Sequence, residues 1–482
     1  MSGTLKVETR AALLTALRQA GNGETILLAA GNYGKLRIGR GDGAEMVSLK
    51  GLTLRASNPE TPPVFRGLDV RGVAEMTLDG LVFDYTRGPR KGDYGHPFGL
   101  YDSADIALSD CTFKGNIDPR RPSLADRFGV GLWIQDVTGA RLTGNTLSGF
   151  DRGIVARAVE DLFLRENDMH TIGSIGIEGT GIEQAFIEGN HLHDFWQSPT
   201  VLDLPDMIQF SAGPKTKANR DIVIRNNWLD MGRGCATRSI VILADIPAGR
   251  SAPACDTCDG LSIQGNMILN ADFHGIMVDR SRTVMLGGNI LLHTPGAGAR
   301  HPAPVARETV PRIIVDPEAS DVTVHGNATT AIDGMQLHWD ILHNAIIGYD
   351  DPATAQLCHD ALVRTALDPR GGVKRFAPVR RARNRPSLAP RPFPLVLDET
   401  TMVPRKSPHP SSLRRKSVTP DKAPAPTAMC SATPPRPMKT KRLVVTSLAK
   451  GKSGRIVDDI AHDLMLAAGP DSYLGDRFEF LN

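Results

Sequence analysis

The sequence predicts an all-β solenoid in which short strands wind into stacked coils. Each repeat contains about three runs of alternating apolar and polar residues, so one side of each run is buried. No helix-length segment separates the runs, which excludes a parallel sheet with helical crossovers. Seven repeats end their second run with a turn asparagine, at spacings of 22, 23, 37, 39, 23 and 38 residues: Asn145, Asn167, Asn190, Asn227, Asn266, Asn289 and Asn327.

The turn asparagines are predicted to be structural. Asparagine tolerates a left-handed backbone, and its amide forms local hydrogen bonds, so asparagines in stacked coils are expected to form a ladder. The longer spacings equal the repeat plus an insertion of roughly 15 residues. Insertions follow Asn190, Asn227 and Asn289, with another around residues 114–128. We expect these loops to stack along one edge of the solenoid and form the wall of a groove.

The opening "ALLTALRQAGNGETILLAAGNYGKLRI" indicates an amphipathic helix, a first strand and a Gly-Asn-Tyr turn. With the repeats, it resembles right-handed parallel β-helix proteins of the pectate-lyase-like superfamily, over roughly residues 8–349. The resemblance implies a right-handed parallel β-helix of about 10–12 coils, closed by an N-terminal capping helix. It implies several activities, because the superfamily includes polysaccharide lyases, hydrolases, epimerases, phage tailspikes and surface adhesins.

Five regions are predicted along the chain. Residues 1–23 carry the capping helix, 24–349 form the β-helix, and 350–375 close its C-terminal end. Residues 376–445 are rich in Pro, Arg, Lys and Ser and have almost no alternation, which predicts a disordered basic linker. Residues 446–482 are expected to contain one short helix, at about 454–468, that ends before Gly469 and Pro470.

Composition excludes several classes of protein. The chain has 482 residues, of which 41% are hydrophobic, and this is enough for a substantial core. We find neither a secretory signal nor an apolar run of about 18 residues, so we expect synthesis in the cytoplasm and no membrane span. Cys255 and Cys258 form a CxxC without a second half, which favours two reduced thiols or a local disulfide over a zinc site.

A polar column is predicted on the outward face of one sheet. Aligning the strands with their branched residues inward gives a column of Gln135, Arg157, Glu178 and Asp279, with Trp133 beside it. Amide, guanidinium and carboxylate groups bind sugar hydroxyls and carboxylates, and an indole stacks on a pyranose. A solvated strand face explains the same pattern. The remaining candidates for substrate binding are Trp196, Asp206, Gln209 if its strand shifts by one residue, and the strand-flanking His274 and Arg280.

Catalytic residues follow only from the resemblance. In the alginate lyase and chondroitinase branch, a lysine after a groove strand is the base and an arginine one coil later assists. The resemblance therefore implies Lys215 or Lys217 as the base and Arg238 as the assisting residue; surface lysines in a turn are the alternative. That branch places acidic metal ligands shortly before the lysine, where this chain has Ile208 and Phe210. We therefore expect neither calcium nor another cofactor.

One further motif is the His-x-His of His191 and His193, which is followed by Asp194. Both rings lie on one side of a strand or turn. Two histidines do not complete a zinc site, so an exposed turn without metal is predicted.

Two functions are compatible with these observations. The first is a protein that binds an extended acidic polysaccharide in a groove and cleaves it by β-elimination. The second is a non-catalytic spike, fibre or adhesin of a phage-like particle that binds cell-surface polysaccharide and is anchored to the particle or a partner protein through its tail. The missing secretion signal favours the second, which acts outside the cell. A homo-oligomer is compatible with either function.

Overall fold

The computed structural model describes residues 3–40, 50–85, 96–116, 129–196, 205–212, 216–244, 257–294 and 306–348. These residues belong to one compact unit, and a second unit, residues 380–442, lies outside them. The predicted C-terminal cap, basic linker and terminal helix also lie outside the described residues. Within the described residues, no helix is long and apolar enough to span a membrane.

The first coils contain the only α-helix of the described residues. Their elements are β1 (Thr4–Val7), α1 (Arg10–Gln19), β2 (Thr25–Leu28), β3 (Asn32–Gly39), β4 (Thr53–Ala56), β5 (Val64–Arg71), β6 (Ala74–Asp79), β7 (Val82–Asp84), β8 (Phe98–Tyr101), β9 (Ala104–Ser109) and β10 (Thr112–Lys114). The middle coils are formed by β11 (Val130–Thr143), β12 (Thr146–Ser148), β13 (Arg152–Arg165), β14 (Asp168–His170), β15 (Ile175–Thr180), β16 (Glu183–Glu188), β17 (His191–His193), β18 (Asp206–Ala212), β19 (Asn219–Arg225) and β20 (Trp228–Asp230).

The last coils continue the same pattern. Their elements are β21 (Arg238–Ala244), β22 (Cys258–Gln264), β23 (Met267–Asn270), β24 (His274–Val278), β25 (Arg282–Gly287), β26 (Ile290–His293), a 3-10 helix (Arg307–Thr309), β27 (Arg312–Val315), β28 (Ser320–His325), β29 (Ala328–Thr329), β30 (Ile332–Asp333), β31 (Asp340–Leu342) and β32 (Ala345–Ile346).

Every strand pairs in parallel with strands one coil away, and the pairings define three sheets. Sheet A contains the second halves of β3 and β5, β8, the first halves of β11 and β13, then β15, β18, β21, β24, β27 and β30. Sheet B contains β1, β2, β4, β6, β9, the second halves of β11 and β13, then β16, β19, β22, β25, β28 and β31. Sheet C contains the first halves of β3 and β5, then β7, β10, β12, β14, β17, β20, β23, β26, β29 and β32. The predicted all-β parallel β-helix is confirmed.

The core runs between the three sheets. On sheet A, one inward row is aliphatic in eight successive strands: Leu132, Ile154, Ile177, Ile208, Ile240, Ile276, Ile313 and Ile332. All but the last of these residues are fully buried. Burying one such side chain stabilises the fold by roughly 1.5–3 kcal/mol, so this row alone holds the coils together strongly. The branched residues therefore point inward, as the alternation predicts.

The asparagine ladder lies at the turn between sheets B and C. The side-chain amide of each asparagine donates to the side-chain oxygen of the next, at 2.9 Å in each step from Asn145 to Asn327. Each oxygen also accepts the backbone N–H of the previous asparagine. Asn344 extends the ladder by one rung that the sequence pattern did not reveal. The asparagines thus satisfy buried polar groups and have the structural role predicted for them.

Helix α1 packs against the first coils. Thr9 caps it, because its hydroxyl accepts the backbone N–H of Ala12 at 3.2 Å. Leu13, Ala16 and Leu17 are buried in the same core as the strands. Strand β1 precedes the helix and pairs with β2, so sheet B begins earlier than the sequence predicts. A four-residue strand is too short for its alternation to be distinctive.

Candidate functional site

Sheet A differs from the other sheets in the connections at its edges. From β6 onward, sheets B and C are joined by two residues in every coil, for example residues 189–190 between β16 and β17. The connections that enter sheet A from sheet C range from two residues, 330–331, to 18 residues, 294–311. The insertions after Asn190 and Asn289 and the one at 114–128 enter sheet A, and much of each lies outside the described residues. Length variation at a sheet edge is typical of a functional face.

A strip of outward side chains crosses sheet A from β5 to β18. We call it the groove strip, and it consists of Asp69, Arg71, Gly99, Tyr101, Trp133, Gln135, Val155, Arg157, Glu178, Thr180, Gln209 and Ser211. Six strands at about 4.8 Å give it a length of about 24 Å. The outward residues Val241, Leu243 and Met277 of the next two strands are apolar. An apolar patch therefore bounds the groove strip on the side of β21 and β24.

A glutamate between two arginines is the electrostatic centre of the groove strip. One carboxylate oxygen of Glu178 accepts from Arg152 and the other from Arg157, each at 2.7 Å. The Glu178 side chain is 7% exposed, whereas the two arginine side chains are 37% and 38% exposed. We call these three residues the groove triad. Two cations against one anion leave a net positive charge that solvent reaches.

The groove triad lines a cleft of about 250 Å³. Its other walls come from strands β15, β18 and β21 and from the residues after β18: Ile175, Thr180, Gln209, Ser211, Thr216 and Leu243. The hydroxyls of Thr180 and Ser211 are 3.1 Å apart and share a hydrogen bond. Hydroxyl and amide groups beside two guanidiniums can bind the hydroxyls and the anionic group of an acidic sugar.

An aromatic ring lies beside one arginine of the groove triad, Arg157. The Arg157 guanidinium lies 5.4 Å from the centre of the Trp133 ring, and the His96 ring stacks on Trp133 at 3.8 Å. The Trp133 indole N–H donates to the Gln135 side chain at 3.2 Å. Burial and the nearby guanidiniums of Arg152 and Arg157 lower the pKa of His96. Because Trp133 already contacts His96 and Arg157, the structure shows it as a support for Arg157, and its predicted role in sugar stacking stays a prediction.

A second arginine–aromatic pair lies two coils away. The Arg71 guanidinium is 3.9 Å from the Tyr101 ring centre and donates to Asp69 at 2.7 Å. Gly99 permits this arrangement, because a Cβ atom there would collide with the Tyr101 ring. Burial raises the pKa of Tyr101. Sequence reasoning missed this pair, because the first coils carry only weak copies of the repeat.

The register of sheet A corrects the predicted column. Gln135 pairs with Arg157 as predicted, but Arg157 pairs with Thr180, and Glu178 belongs to the neighbouring outward column with Trp133. The prediction that one column holds Gln135, Arg157 and Glu178 is therefore wrong by two residues. Alternation fixes the face of a strand but not a shift of two residues, which leaves every side chain on the same face.

The same register gives the positions of Gln209, which was predicted to join the column only after a shift of one residue, and of Asp279, the last predicted member. Gln209 pairs directly with Glu178, so it needs no shift to join Trp133 and Glu178. Asp279 follows the end of β24, and its carboxylate accepts the backbone N–H of Ala244 at 3.0 Å. Burial raises the pKa of Asp279. Asp279 lies beyond the apolar end of the groove strip, and we do not include it in the site.

Several predicted contacts lie where the strands of sheet A begin. Asp206 is 1% exposed and accepts two hydrogen bonds from Arg238, at 2.5 and 2.8 Å. Burial raises the pKa of Asp206 to about 6, although Arg238 acts in the opposite direction. His274 is 2.8 Å from Asp272. Asp206, Arg238 and His274 are thus engaged with protein groups at this edge.

The remaining predicted contacts lie apart from the groove triad. Arg280 forms an ion pair with Glu318. Trp196 follows β17, and its backbone N–H donates to Ile172. Both residues are only partly exposed. The structure brings neither residue to the groove triad through a described contact.

Of the three residues implied as catalytic, the two that the structure describes are not brought together. Lys215 lies outside the described residues, and Lys217 is exposed beyond the end of β18. Arg238 pairs with Asp206 at the beginning of β18. The seven residues of β18 span about 20 Å, so Lys217 and Arg238 lie at opposite edges of sheet A. Their catalytic roles stay predictions.

The groove does not suit the calcium ion that the resemblance implies for some members. Ile208 and Phe210, which replace the acidic ligands, are buried inward-facing residues, so carboxylates at these positions would not face a groove ligand. The outward residues of β18 are Gln209 and Ser211, and Glu178, which pairs with Gln209 in the neighbouring strand, is bound to two arginines. Calcium prefers several carboxylate and carbonyl oxygens, and two guanidiniums repel it.

His191 and His193 do not lie in an exposed turn, so that prediction is wrong. They form strand β17 in sheet C and are half-buried. Burial, reinforced by His193, lowers the pKa of His191 to about 4. Hydrogen bonds to Asp168 and Asp194 raise the pKa of His193 to about 9, although burial acts in the opposite direction. Asp168 reaches them from the previous coil, a contact that is visible only after the coils are stacked.

The described cysteines are reduced. Cys111, Cys235 and Cys258 are free, and burial raises the pKa of the Cys258 thiol to about 12. Cys255, its partner in the CxxC, lies outside the described residues. Cys258 begins β22 and packs in the core.

Sequence reasoning also missed Arg152 and His96. Arg152 is the first residue of β13, one residue before the segment that the alternation defines. His96 precedes β8 and follows residues outside the described set. Several strands of sheet A begin with a charged residue, as at Asp206, Arg238 and Arg312. This recurring position is the signal that would have revealed Arg152.

Comparison with known proteins agrees with this architecture. The sequence model of the family described as "Right handed beta helix region" matches residues 98–301, which include most of the groove strip. The chain folds as a right-handed parallel β-helix. No curated protein sequence matches this β-helix chain significantly.

The solved structures found to resemble this chain have low identity to it. A surface adhesin of Streptococcus pneumoniae, PfbA, is 10% identical, with a TM-score of 0.40, and the match covers 71% of this chain and 88% of that chain. The polysaccharide lyase Pedsa3628 of family PL6 from Pseudopedobacter saltans is 10% identical, with a TM-score of 0.32 and coverage of 72% and 93%. The A-module of the Azotobacter vinelandii mannuronan C-5 epimerase AlgE6 is 12% identical, with a TM-score of 0.32 and coverage of 70% and 95%.

Proposed function

We propose that sheet A binds an acidic polysaccharide along the groove strip. The groove triad carries the proposal, because Arg152 and Arg157 together outweigh the single charge of Glu178 and are exposed to solvent. A guanidinium has five N–H donors in a planar fork that matches a carboxylate or sulfate. The contacts to Glu178 use one terminal nitrogen of each arginine, so further donors are available for a sugar.

The shape of the groove strip favours a polymer over a small metabolite. Its polar residues extend for about 24 Å across six stacked strands. Two arginine–aromatic pairs, Arg71 with Tyr101 and Arg157 with Trp133, occur along this length. A chain of sugars that lies across the strands would meet cationic and aromatic groups repeatedly. The rigid scaffold keeps these groups in fixed positions, which lowers the entropic cost of binding.

Cleavage of the bound polysaccharide by β-elimination is a more specific proposal than binding. Elimination needs a group that neutralises the sugar carboxylate, a base for the neighbouring proton and an acid for the leaving oxygen. Arg152 and Arg157 suit the first role. The base assigned to Lys215 or Lys217 and the assistance assigned to Arg238 rest on the resemblance alone. Binding is therefore the function that we propose for the groove, and turnover is left to experiment.

A screen of polysaccharides tests this proposal. The full chain is titrated with polyuronates, a sulfated polysaccharide and neutral polysaccharides of matched length. We expect saturable binding of at least one acidic polymer, weakened by salt because the contacts are ionic. Binding of neutral polymers only, or of none, would contradict the proposal. Ultraviolet absorbance recorded in the same samples reports the unsaturated product of elimination, so a bound but uncleaved polymer supports an adhesin or spike over a lyase.

A further inference from the structure

A cluster of histidines and carboxylates lies on the outward face of sheet C, away from the groove. Strands β14, β17 and β20 each contribute two outward residues in register. Asp168 pairs with His191, and His170 pairs with His193. Asp230 follows His193 in the next coil. The parallel stacking thus brings together residues that are more than 20 positions apart in the chain.

Three ligand atoms of this cluster are close enough to share an ion. One oxygen of Asp168 and one ring nitrogen each of His191 and His193 lie within 4.8 Å of one another. Metal–ligand distances for zinc are about 2.0–2.2 Å, so small side-chain rotations place all three atoms around one ion. All three residues are half-buried, which shields such an ion from solvent on the side of the protein.

Asp194 supplies a second, independent observation. Its carboxylate lies 2.8 Å from Nδ1 of His193, while Nε2 of the same ring faces Asp168 at 3.1 Å. The other oxygen of Asp194 accepts the backbone N–H of Arg233 at 2.6 Å, so the next coil holds the carboxylate in place. A histidine that ligates a metal usually donates its other ring N–H to a carboxylate in this way. This contact fixes the ring and directs Nε2 toward the site.

The donor set selects a class of metal. Two imidazoles and one carboxylate suit Zn²⁺, Co²⁺ or Ni²⁺, whereas Ca²⁺ and Mg²⁺ prefer oxygen ligands alone. Three protein ligands leave at least one position for water, as in open zinc sites. We propose that Asp168, His191 and His193 form a binding site for a divalent transition-metal ion on sheet C, with Asp194 as the residue that positions His193.

Titration of the full, tag-free chain with Zn²⁺ tests the proposal, with the affinity measured by competition against a chromophoric chelator. We expect one saturable site that Ca²⁺ and Mg²⁺ do not occupy at the same concentration. His191→Gln, His193→Gln and Asp168→Asn should each weaken Zn²⁺ binding at least tenfold. Asp194→Asn should weaken it about tenfold, because loss of such a supporting carboxylate typically costs 10–100-fold in metal affinity.

His325→Gln is the matched control, because His325 is a half-buried strand residue on sheet B. It should leave Zn²⁺ affinity unchanged. Circular dichroism confirms folding of each variant, and if one variant fails to fold, the remaining ligand variants provide the same test. Wild-type affinity in the folded ligand variants, or no saturable Zn²⁺ binding by the wild type, would overturn the proposal and leave His193 as a hydrogen-bonded link between two carboxylates.

Discussion

Two arginine–glutamate–arginine triads lie on different sheets of this β-helix. The groove triad on sheet A joins Arg152 and Arg157 to Glu178 at 2.7 Å. On sheet B, Glu188 pairs with Arg225 at 3.2 Å and Arg165 at 3.9 Å. We call this second set the sheet B triad. The residue types are the same, so composition alone does not distinguish the two.

Their surroundings differ. The Glu178 side chain is 7% exposed, whereas Glu188 is 26% exposed and its arginines are 48% and 59% exposed. The groove triad lines a cleft, and the connections at the edges of its sheet vary in length. The attraction between a buried carboxylate and its cationic partners offsets the free energy of desolvation only when the ion pairs are short and well hydrogen-bonded. The burial of the glutamate and the cleft beside it, and not the charge pattern, therefore distinguish a candidate binding site from an ordinary surface ion-pair cluster.

Removing each glutamate tests this difference through stability. Glu178→Ala leaves two partly buried guanidiniums without their carboxylate, so we expect it to lower the free energy of unfolding by about 3 kcal/mol. Glu188→Ala breaks exposed pairs and should cost less than about 1 kcal/mol. Denaturant unfolding followed by circular dichroism measures both values. Equal losses would show that the two triads are energetically alike.

A third arginine–carboxylate pair, Arg238 with Asp206, extends the comparison to pH. The pKa of Asp206 in the folded state is about 6, above its ordinary value of about 3.9. The fold therefore favours the protonated acid, whose contribution to stability is complete below pH 3.9 and is lost as the pH rises through about 6.

Asp206→Asn removes this titration. The stability of the wild type relative to the variant should fall by about 2–3 kcal/mol between pH 4 and pH 7, since one pKa unit corresponds to about 1.4 kcal/mol. Unfolding of both proteins at the two pH values measures the difference. A difference that does not change with pH would mean that Arg238 keeps Asp206 ionised throughout.

Loss of the aromatic ring beside Arg157 is expected to have the smallest effect, a modest loss of polysaccharide affinity. Trp133→Ala removes a ring beside Arg157 and should weaken binding of the acidic polysaccharide about fivefold, the range of one cation–π contact. Sheet B offers a matched control, because Arg141 lies 5.1 Å from the Phe163 ring. Phe163→Ala should leave the affinity unchanged. If both substitutions change the affinity equally, the aromatic rings act on the scaffold rather than on the groove.

The sequence predicts the fold far better than the site, for a physical reason. The repeat of alternating strands and turn asparagines requires only local spacing, so the coils, the inward aliphatic row and the ladder follow from it. A site requires register between coils, and alternation leaves shifts of two residues undetermined. The predicted position of Glu178 is therefore one column away from the observed one. Asp168 and His193 became neighbours only in the stacked structure.

Residues at strand ends were the hardest to predict. Arg152 and His96 lie outside the alternating runs, because the chain direction there is set by the turn between sheets C and A. The asparagine turn between sheets B and C repeats closely, and its residues were found without error except for Asn344. The residues of the regular connections between sheets B and C can thus be predicted from the sequence. The residues of the variable connections beside the groove strip cannot.

The most direct test of the account compares two double variants in one binding assay. The acidic polysaccharide bound by the wild type is titrated into Arg152→Ala/Arg157→Ala and into Arg165→Ala/Arg225→Ala by isothermal calorimetry. We predict at least a tenfold loss of affinity for the groove pair, about 1.4 kcal/mol or more, and wild-type affinity for the sheet B pair. Equal affinities in the two folded variants would contradict the assignment of the polysaccharide site to sheet A.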